Sequence, residues 1–245
     1  MAEIKVFLDV QPLVSTGGIA TYTRALVANL DERVELVYYF AALRGAGKVR
    51  KAIGKKLWMP SLADRIFERL FRGAGVRSRT RLTGARPRSP TVFHGTNYLT
   101  PRSSIPTVVT LHDLSVLRHP AFHPAEVQSQ AYLLPEIVQE ARVVVVPSPA
   151  TARDAEALLG VPAAKIRVIP LAPTPALLAF DRSYVKRRFG IERPYVLAVG
   201  ALEPRKNLPR LIQAFRACEA ARDHLLVLAG PRAWGTAEVE AAASS

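Results

Sequence analysis

Arg205 and Lys206 stand side by side in "VGALEPRKNLPRLIQAF", residues 199 to 215. Before them runs an apolar strand-like stretch, Tyr195–Val199, ending in Gly200. After them Leu208, Leu211, Ile212 and Phe215 recur at i, i+3, i+4 and i+7, the period of a helix, with Asn207 at its cap position. Two cations and free helix N–H groups at one point suit a diphosphate and stabilise it as a leaving group without a metal. A second turn of this kind lies in "DVQPLVSTGGIATYTRALVANL", where Gly17 and Gly18 precede an amphipathic helix. Paired glycines let backbone approach an anion closely, but the G-x-G-x-x-G spacing is absent and a plain strand-to-helix turn fits equally well. A third stretch, "VVTLHDLSVLRHPAFH", delivers His112 and Asp113 to the carboxyl end of a buried strand, where open α/β sheets bind ligands. His112 there can donate to a sugar hydroxyl or phosphate oxygen; a histidine satisfying local backbone is the competing reading. His119 and His123 are four apart, but Pro120 spoils the shared helical face, and no Cys or acid cluster completes a zinc site. The chain has no D-x-D, so a carboxylate-held Mg²⁺ or Mn²⁺ is not expected.

The elements that must position these residues alternate between strand-like and helix-period runs, the pattern of an α/β fold around a parallel sheet. The strands expected are Ile4–Val10, Val34–Phe40, Thr91–His94, Thr107–Leu111, Val143–Val146, Ile166–Ile169, Tyr195–Val199 and Leu225–Ala229, with helices over Ile19–Leu30, Ala125–Ala141 and Ala150–Leu159. "VVVVP" reads as a strand buried on both faces. "PLAPTPALLAF" holds Pro170, Pro173 and Pro175, which interrupt any ladder or helix, and Asp181 can cap the short basic helix that follows. The organisation expected is therefore a domain over 1–172, a linker over 173–192 and a second domain begun at 193–245.

Composition narrows the setting. At 245 residues and 49 % apolar content the chain can bury a real core. It has no run near the ~20 apolar residues that span a bilayer, and its start lacks the layout of a signal peptide. Its one cysteine, Cys218, fits a reducing compartment, with cytoplasm as the expected location. The formal charge of +14 is local: between Arg44 and Arg88 stand 14 Lys or Arg against Asp64 and Glu68, leaving 20 basic and 18 acidic residues elsewhere. Within that segment "SLADRIFERLFRG" sets Leu62, Ile66, Phe67, Leu70 and Phe71 on one helical face among arginines. Such a basic amphipathic helix either docks on an anionic membrane, on the inner face of the plasma membrane, or packs its apolar face on the core.

The ordered set "GGIATYTRAL", "VFHGTNYLTP", "VVTLHDLSVLRHPAFHP", "VVVVPSPATARDAEALLGVPAAKIRVIP", "VGALEPRKNLPRLIQAF" and "LVLAGPRAWG" resembles glycosyltransferase family 4, the group 1 retaining enzymes of GT-B fold, over nearly the whole chain. The resemblance implies two Rossmann-like domains with a nucleotide diphosphate sugar between them as donor substrate, no cofactor and no metal. By matching motifs, Gly17 and Gly18 lie against the donor diphosphate and sugar, His112 beside the transferred sugar with Asp113 next to it, and Arg205 and Lys206 neutralise the departing diphosphate. Many members carry an arginine after the Val-Gly where this chain has Ala201.

The activity implied is metal-independent, retaining transfer of a hexose to a hydroxyl acceptor, lipid-linked or glycan, in bacterial cell-envelope synthesis. GDP-mannose is the favoured donor, with UDP-sugars close behind. The family's later pair of glutamates, which contacts the donor, has no match here, since 30 residues follow Phe215. The chain is thus expected to be truncated within the second domain and inactive as it stands. Two other readings stay open: a non-catalytic nucleotide- or sugar-binding remnant, and a nucleic-acid binder using the basic segment. The latter is disfavoured because no helix-turn-helix, RRM or zinc signature accompanies the charge.

Overall fold

A computed structural model describes residues 4–15, 17–30, 32–71, 90–173 and 182–244. Contacts divide the chain into two compact units, Met1–Thr174 and Pro175–Ser245. In the first, the elements in chain order are β1 (Lys5–Asp9), α1 (Gly18–Leu30), β2 (Glu35–Tyr39), α2 (Ala46–Ile53), β3 (Leu57–Trp58), α3 (Leu62–Phe71), β4 (Thr91–Gly95), β5 (Thr107–Thr110), α4 (Ser115–Arg118), α5 (Ala125–Ala131), α6 (Leu134–Glu140), β6 (Val143–Val146), α7 (Pro149–Leu159) and β7 (Ile166–Val168). The seven strands form one sheet in the order β3-β2-β1-β4-β5-β6-β7. Every pairing is parallel, for example Phe7 with Val37 on one side and Phe93 on the other. The chain builds outward from β1 to β3, then returns to lay β4 on the opposite side of β1. This is a Rossmann-like sheet, and its strand order reverses between β1 and β4, where such sheets open a crevice at their carboxyl ends.

Continuous apolar runs become the inner strands because both sheet faces are covered. Leu8, Phe93, Val109 and Val144 are all fully buried. One core gathers β1 and β2 residues with Leu13 and Val49; another gathers Val109, Val144, Ile137, Ala155 and Leu159. Helix α7 starts where Ser148 Oγ accepts the Thr151 N–H, and stops at Gly160 in a left-handed turn (φ 63°).

The structure departs from the sequence expectations at two points and bears out a third in part. The helix foreseen over Ala125–Ala141 is two helices, because Pro135 has no N–H for the Ala131 carbonyl and its ring crowds that turn. Strand β3 was not foreseen: two residues carry no periodicity, and its place is fixed instead by Trp58 stacking on Tyr39 with ring centroids 5.7 Å apart. The helix "SLADRIFERLF" forms as α3, begun by Ser61 Oγ, which accepts the Asp64 N–H and donates to Asp64 Oδ2. Its Leu62 and Ile66 stay exposed, at 62 % and 41 %. The side chains of Phe67, Leu70 and Phe71, residues 72–89 of the basic segment, and the linker positions Pro175 and Asp181 lie outside the described residues. Among the described residues no helix is long and apolar enough to cross a membrane.

The second unit contains α8 (Arg182–Phe189), β8 (Tyr195–Val199), α9 (Leu208–Arg216), β9 (Leu225–Ala229) and α10 (Thr236–Ser244). Strands β8 and β9 pair in parallel, Tyr195 with Leu225 through Val199 with Ala229. Leu208 and Ile212 of α9 meet Val239 of α10 and cover one face, against Ala198, Leu226 and Leu228. Helix α10 went unforeseen because "TAEVEAAAS" is alanine-rich and shows almost no apolar stripe; high helix propensity forms it. Beyond the strands the two chains come still closer. A Cβ on Gly230 would lie 1.8 Å from the Gly200 carbonyl oxygen, which no side-chain adjustment relieves. Gly230→Ala should therefore destabilise this unit by more than ~1 kcal/mol. Gly47→Ala, where a Cβ meets nothing within 4 Å, should be neutral or better; urea unfolding of the two variants checks the contrast.

Candidate active site

Strand β5 carries the chain through Leu111 to His112, at the carboxyl edge of the sheet. The His112 Nε2 lies 2.9 Å from the Thr96 carbonyl oxygen. A carbonyl only accepts, so Nε2 bears the proton and Nδ1 presents a lone pair when the ring is neutral. Burial pushes the His112 pKa below its usual value, against the opposing pull of the Thr96 carbonyl and the Asp113 charge. The expectation that His112 donates to a ligand therefore gives way: its donor is spent on the backbone, and what remains is an acceptor.

Two tyrosine rings hold that imidazole. Tyr22 meets it edge-on at 5.0 Å between centroids and Tyr98 at 5.8 Å. Tyr98 sits in left-handed backbone (φ 56°), sparse for a bulky residue, and its hydroxyl accepts the Asp113 N–H at 3.0 Å. Asp113 Oδ1 in turn accepts from the Ser115 N–H and hydroxyl, at 2.9 and 2.7 Å, so one carboxylate oxygen starts α4 rather than meeting a ligand.

Tyr22 lies one turn into α1, four residues after Gly18, so its ring contact ties this end of the helix to His112. Gly17 and Gly18 are exposed, neither has positive φ, and a Cβ at either would meet nothing within 4 Å. Neither backbone nor packing demands glycine there. What two hydrogens in place of side chains provide is bare backbone at a helix N-terminus.

His94 escaped the sequence reading. It stands in β4 with Nε2 2.9 Å from Thr110 Oγ1, and the same hydroxyl meets Tyr22 Oη at 3.2 Å. Burial, and then the neighbouring His112, lower its pKa to about 4. Nothing in "TVFHG" signals this, because the partner hydroxyl comes from a different strand.

In the second unit, Arg205 and Lys206 follow β8 as expected, but their charges are not equivalent. Arg205 Nη2 lies 2.7 Å from Glu203 Oε1, and Glu203 is buried, with its side chain 7 % exposed. The Lys206 stem instead passes over Gly200, with Cε 3.4 Å and Nζ 3.9 Å from where a Cβ would stand. Lys206 has no ion partner among the described residues. The expected pair of free cations is corrected to one cation and one internally neutralised arginine. Asn207 is corrected too: it sits in left-handed backbone (φ 50°) and makes no side-chain cap to α9, since capping needs extended backbone to aim the side chain at the first turn. Among the described residues no group of three metal-ligating side chains occurs.

The family model for Glycosyltransferase Family 4 matches residues 16–172. The O-antigen chain mannosyltransferase B of Escherichia coli is 27 % identical over 155 residues, which cover 58 % of this chain and 39 % of the relative. The chain thus spans well under half the length of that protein.

The two buried imidazoles set a pH dependence. With an ordinary pKa of 6.5 when unfolded and about 4 when folded, His94 takes up its proton more readily in the unfolded chain. Its contribution is full above pH 6.5 and is lost as pH falls through 4, a change of ~3 kcal/mol at 1.36 kcal/mol per unit. The urea midpoint should fall across this window, and His94→Gln should flatten the fall.

Proposed function

The chain belongs to glycosyltransferase family 4, and we propose that it serves the transfer of a hexose from a nucleotide diphosphate sugar to a hydroxyl acceptor. The observation that carries this reading is Lys206, a cation without an ion partner among the described residues, lying over Gly200 at the carboxyl end of β8 and beside the start of α9. As the sugar–phosphate bond breaks, negative charge grows on the leaving diphosphate. An ammonium and helix N–H groups already in place stabilise it without reorganisation and without calling on a metal. Arg205, held by Glu203, shapes the loop and adds little net charge.

In the first unit, Gly17 and Gly18 offer bare backbone to the donor, and His112 offers Nδ1 to a sugar hydroxyl. The neutral, fixed imidazole orients the sugar and adds no charge that would compete with the departing diphosphate. Asp113 Oδ2 has no partner among the described residues and is the second acceptor for sugar hydroxyls at this edge. Retention of configuration follows the family resemblance. Mannose as the hexose and an envelope glycan as acceptor are supported by the Escherichia coli relative, an O-antigen chain mannosyltransferase, whereas GDP-mannose as donor and a lipid-linked acceptor follow the family resemblance.

GDP should bind the chain better than guanosine, and equally in the presence of a chelator. Lys206→Ala should weaken GDP by ~1–3 kcal/mol, the worth of a charged hydrogen bond. Equal calorimetric affinities for GDP and guanosine would remove the basis of this assignment.

Helix α3 supports a second element of the reading. Arg65 donates from Nε and Nη2 to the carbonyls of Ala41 and Ala42, fixing the helix to the unit, while Leu62 and Ile66 remain exposed one turn apart. We propose that this face docks on an anionic membrane, placing the protein at the inner face of the plasma membrane near a lipid-linked acceptor. Sedimentation should show binding to vesicles containing anionic lipid, weakened by salt and by Leu62→Glu. Equal binding to neutral vesicles refutes it, and stronger competition by duplex DNA favours nucleic acid instead.

A further inference from the structure

Thr110 is 2 % exposed, yet its hydroxyl has two partners. His94 Nε2 lies 2.9 Å from it and Tyr22 Oη 3.2 Å. A hydroxyl owns one hydrogen, so it donates to one of these groups and accepts from the other. Two arrangements exist: hydrogens point from His94 through Thr110 to Tyr22, or from Tyr22 through Thr110 to His94. Each leaves one donor without a partner among the described residues, the Tyr22 O–H in the first and the His94 Nδ1–H in the second. Numbers of bonds do not separate them, but the strengths of donor and acceptor do.

A phenol, with an ordinary pKa of about 10, gives up a hydrogen more readily than an aliphatic hydroxyl, and an imidazole nitrogen accepts one more strongly than a hydroxyl oxygen. The second arrangement sets the strongest donor at one end and the strongest acceptor at the other, so each bond polarises the next. Burial, and then the neighbouring His112, keep the His94 ring uncharged down to about pH 4, so Nε2 holds a lone pair at neutral pH. The acceptor end is also fixed in space. His94 stands in β4, in register with Leu8 of β1 on one side and Val108 of β5 on the other.

Thr110 acts through its backbone as well, its carbonyl accepting the Tyr98 N–H at 3.0 Å. Both rings that flank His112 are therefore tied to this one residue, Tyr22 by its hydroxyl and Tyr98 by its main chain. We propose that His94 is a positioning residue for His112: as the last acceptor of the chain Tyr22–Thr110–His94, it draws the Tyr22 hydroxyl onto Thr110 and so holds the Tyr22 ring edge-on against the imidazole. The service of this chain to sugar transfer rests on the function proposed above; its direction does not. The two histidines then carry opposite tautomers, Nδ1–H on His94 and Nε2–H on His112.

The test is long-range ¹H–¹⁵N correlation NMR of the intact chain with labelled histidine at neutral pH. A protonated Nδ1 and a bare Nε2 are expected for His94, the reverse for His112. His94→Leu should shift the His112 ring signals as Tyr22→Phe does, and the double variant should shift them no further than either alone. His94→Gln, whose amide oxygen can take the Thr110 hydrogen, should restore them. In calorimetry the advantage of GDP-mannose over GDP should fall about fivefold in His94→Leu and return in His94→Gln. A protonated Nε2 on His94, additive shifts in the double variant, or no rescue by glutamine overturns the proposal; should His94→Leu fail to fold, the tautomer of the unmodified chain decides. No advantage of GDP-mannose over GDP in the unmodified chain, with the tautomers as expected, overturns the donor reading and leaves the hydrogen-bond chain supported.

Discussion

Thr96 is fully buried, and four elements meet on it. Its hydroxyl donates to the Asp9 carbonyl at the end of β1, 2.8 Å away, and receives the Thr23 hydroxyl of α1 at 3.4 Å. Its own carbonyl, just past β4, takes the Nε2–H of His112 beyond β5. A parallel sheet brings the carboxyl ends of its strands to one edge but leaves the loops there without ladder partners. Thr96 supplies the missing partners with one small side chain and one carbonyl. A valine of similar shape would leave the Asp9 carbonyl without this donor, while keeping the backbone carbonyl that holds His112.

The surroundings of Thr96 explain why the site is built from neutral groups. Thr110 serves both His94 and Tyr22, and Tyr22 and Tyr98 press on His112. Burial raises the pKa of Tyr22 and lowers those of both histidines, so each side chain is driven toward its uncharged form. In the second unit burial has the opposite companion: the buried Glu203 keeps Arg205 as its ion partner, and Lys206 beside it is exposed. The described groups around Thr96 are thus held neutral by burial, whereas at the loop after β8 an ammonium stays exposed and charged.

Much of this was legible in the sequence, for identifiable reasons. "VVVVP" and "VVTLHD" announce strands because a sheet covered on both faces needs unbroken apolar runs, and the landmark segments indicate the family because they lie where a strand passes into a helix. What was hidden depended on partners far away in the chain. The tautomer of His112 is set by residue 96, the protonation of His94 by burial and by residue 112, and the neutralisation of Arg205 by a loop that folds Glu203 back onto it. Pro135 was visible, yet the apolar period across it outweighed it in reading one helix for two.

The position of β1 between β2 and β4 also bears on how the protein comes into being. Lys5 pairs with Thr91, so the innermost strand of this half of the sheet lacks one neighbour until 86 further residues have been made. At ~5–20 residues per second that wait is roughly 4 to 17 s on the ribosome. During it the other edge of β1, with Phe7 and Leu8, is open to any passing strand. Strands β4 to β7, by contrast, meet their neighbours within short stretches of chain. The reversal of strand order thus leaves the N-terminal strand half-paired for longer than any other strand of the sheet, and a nascent chain of this protein has reason to lean on a chaperone until β4 is made.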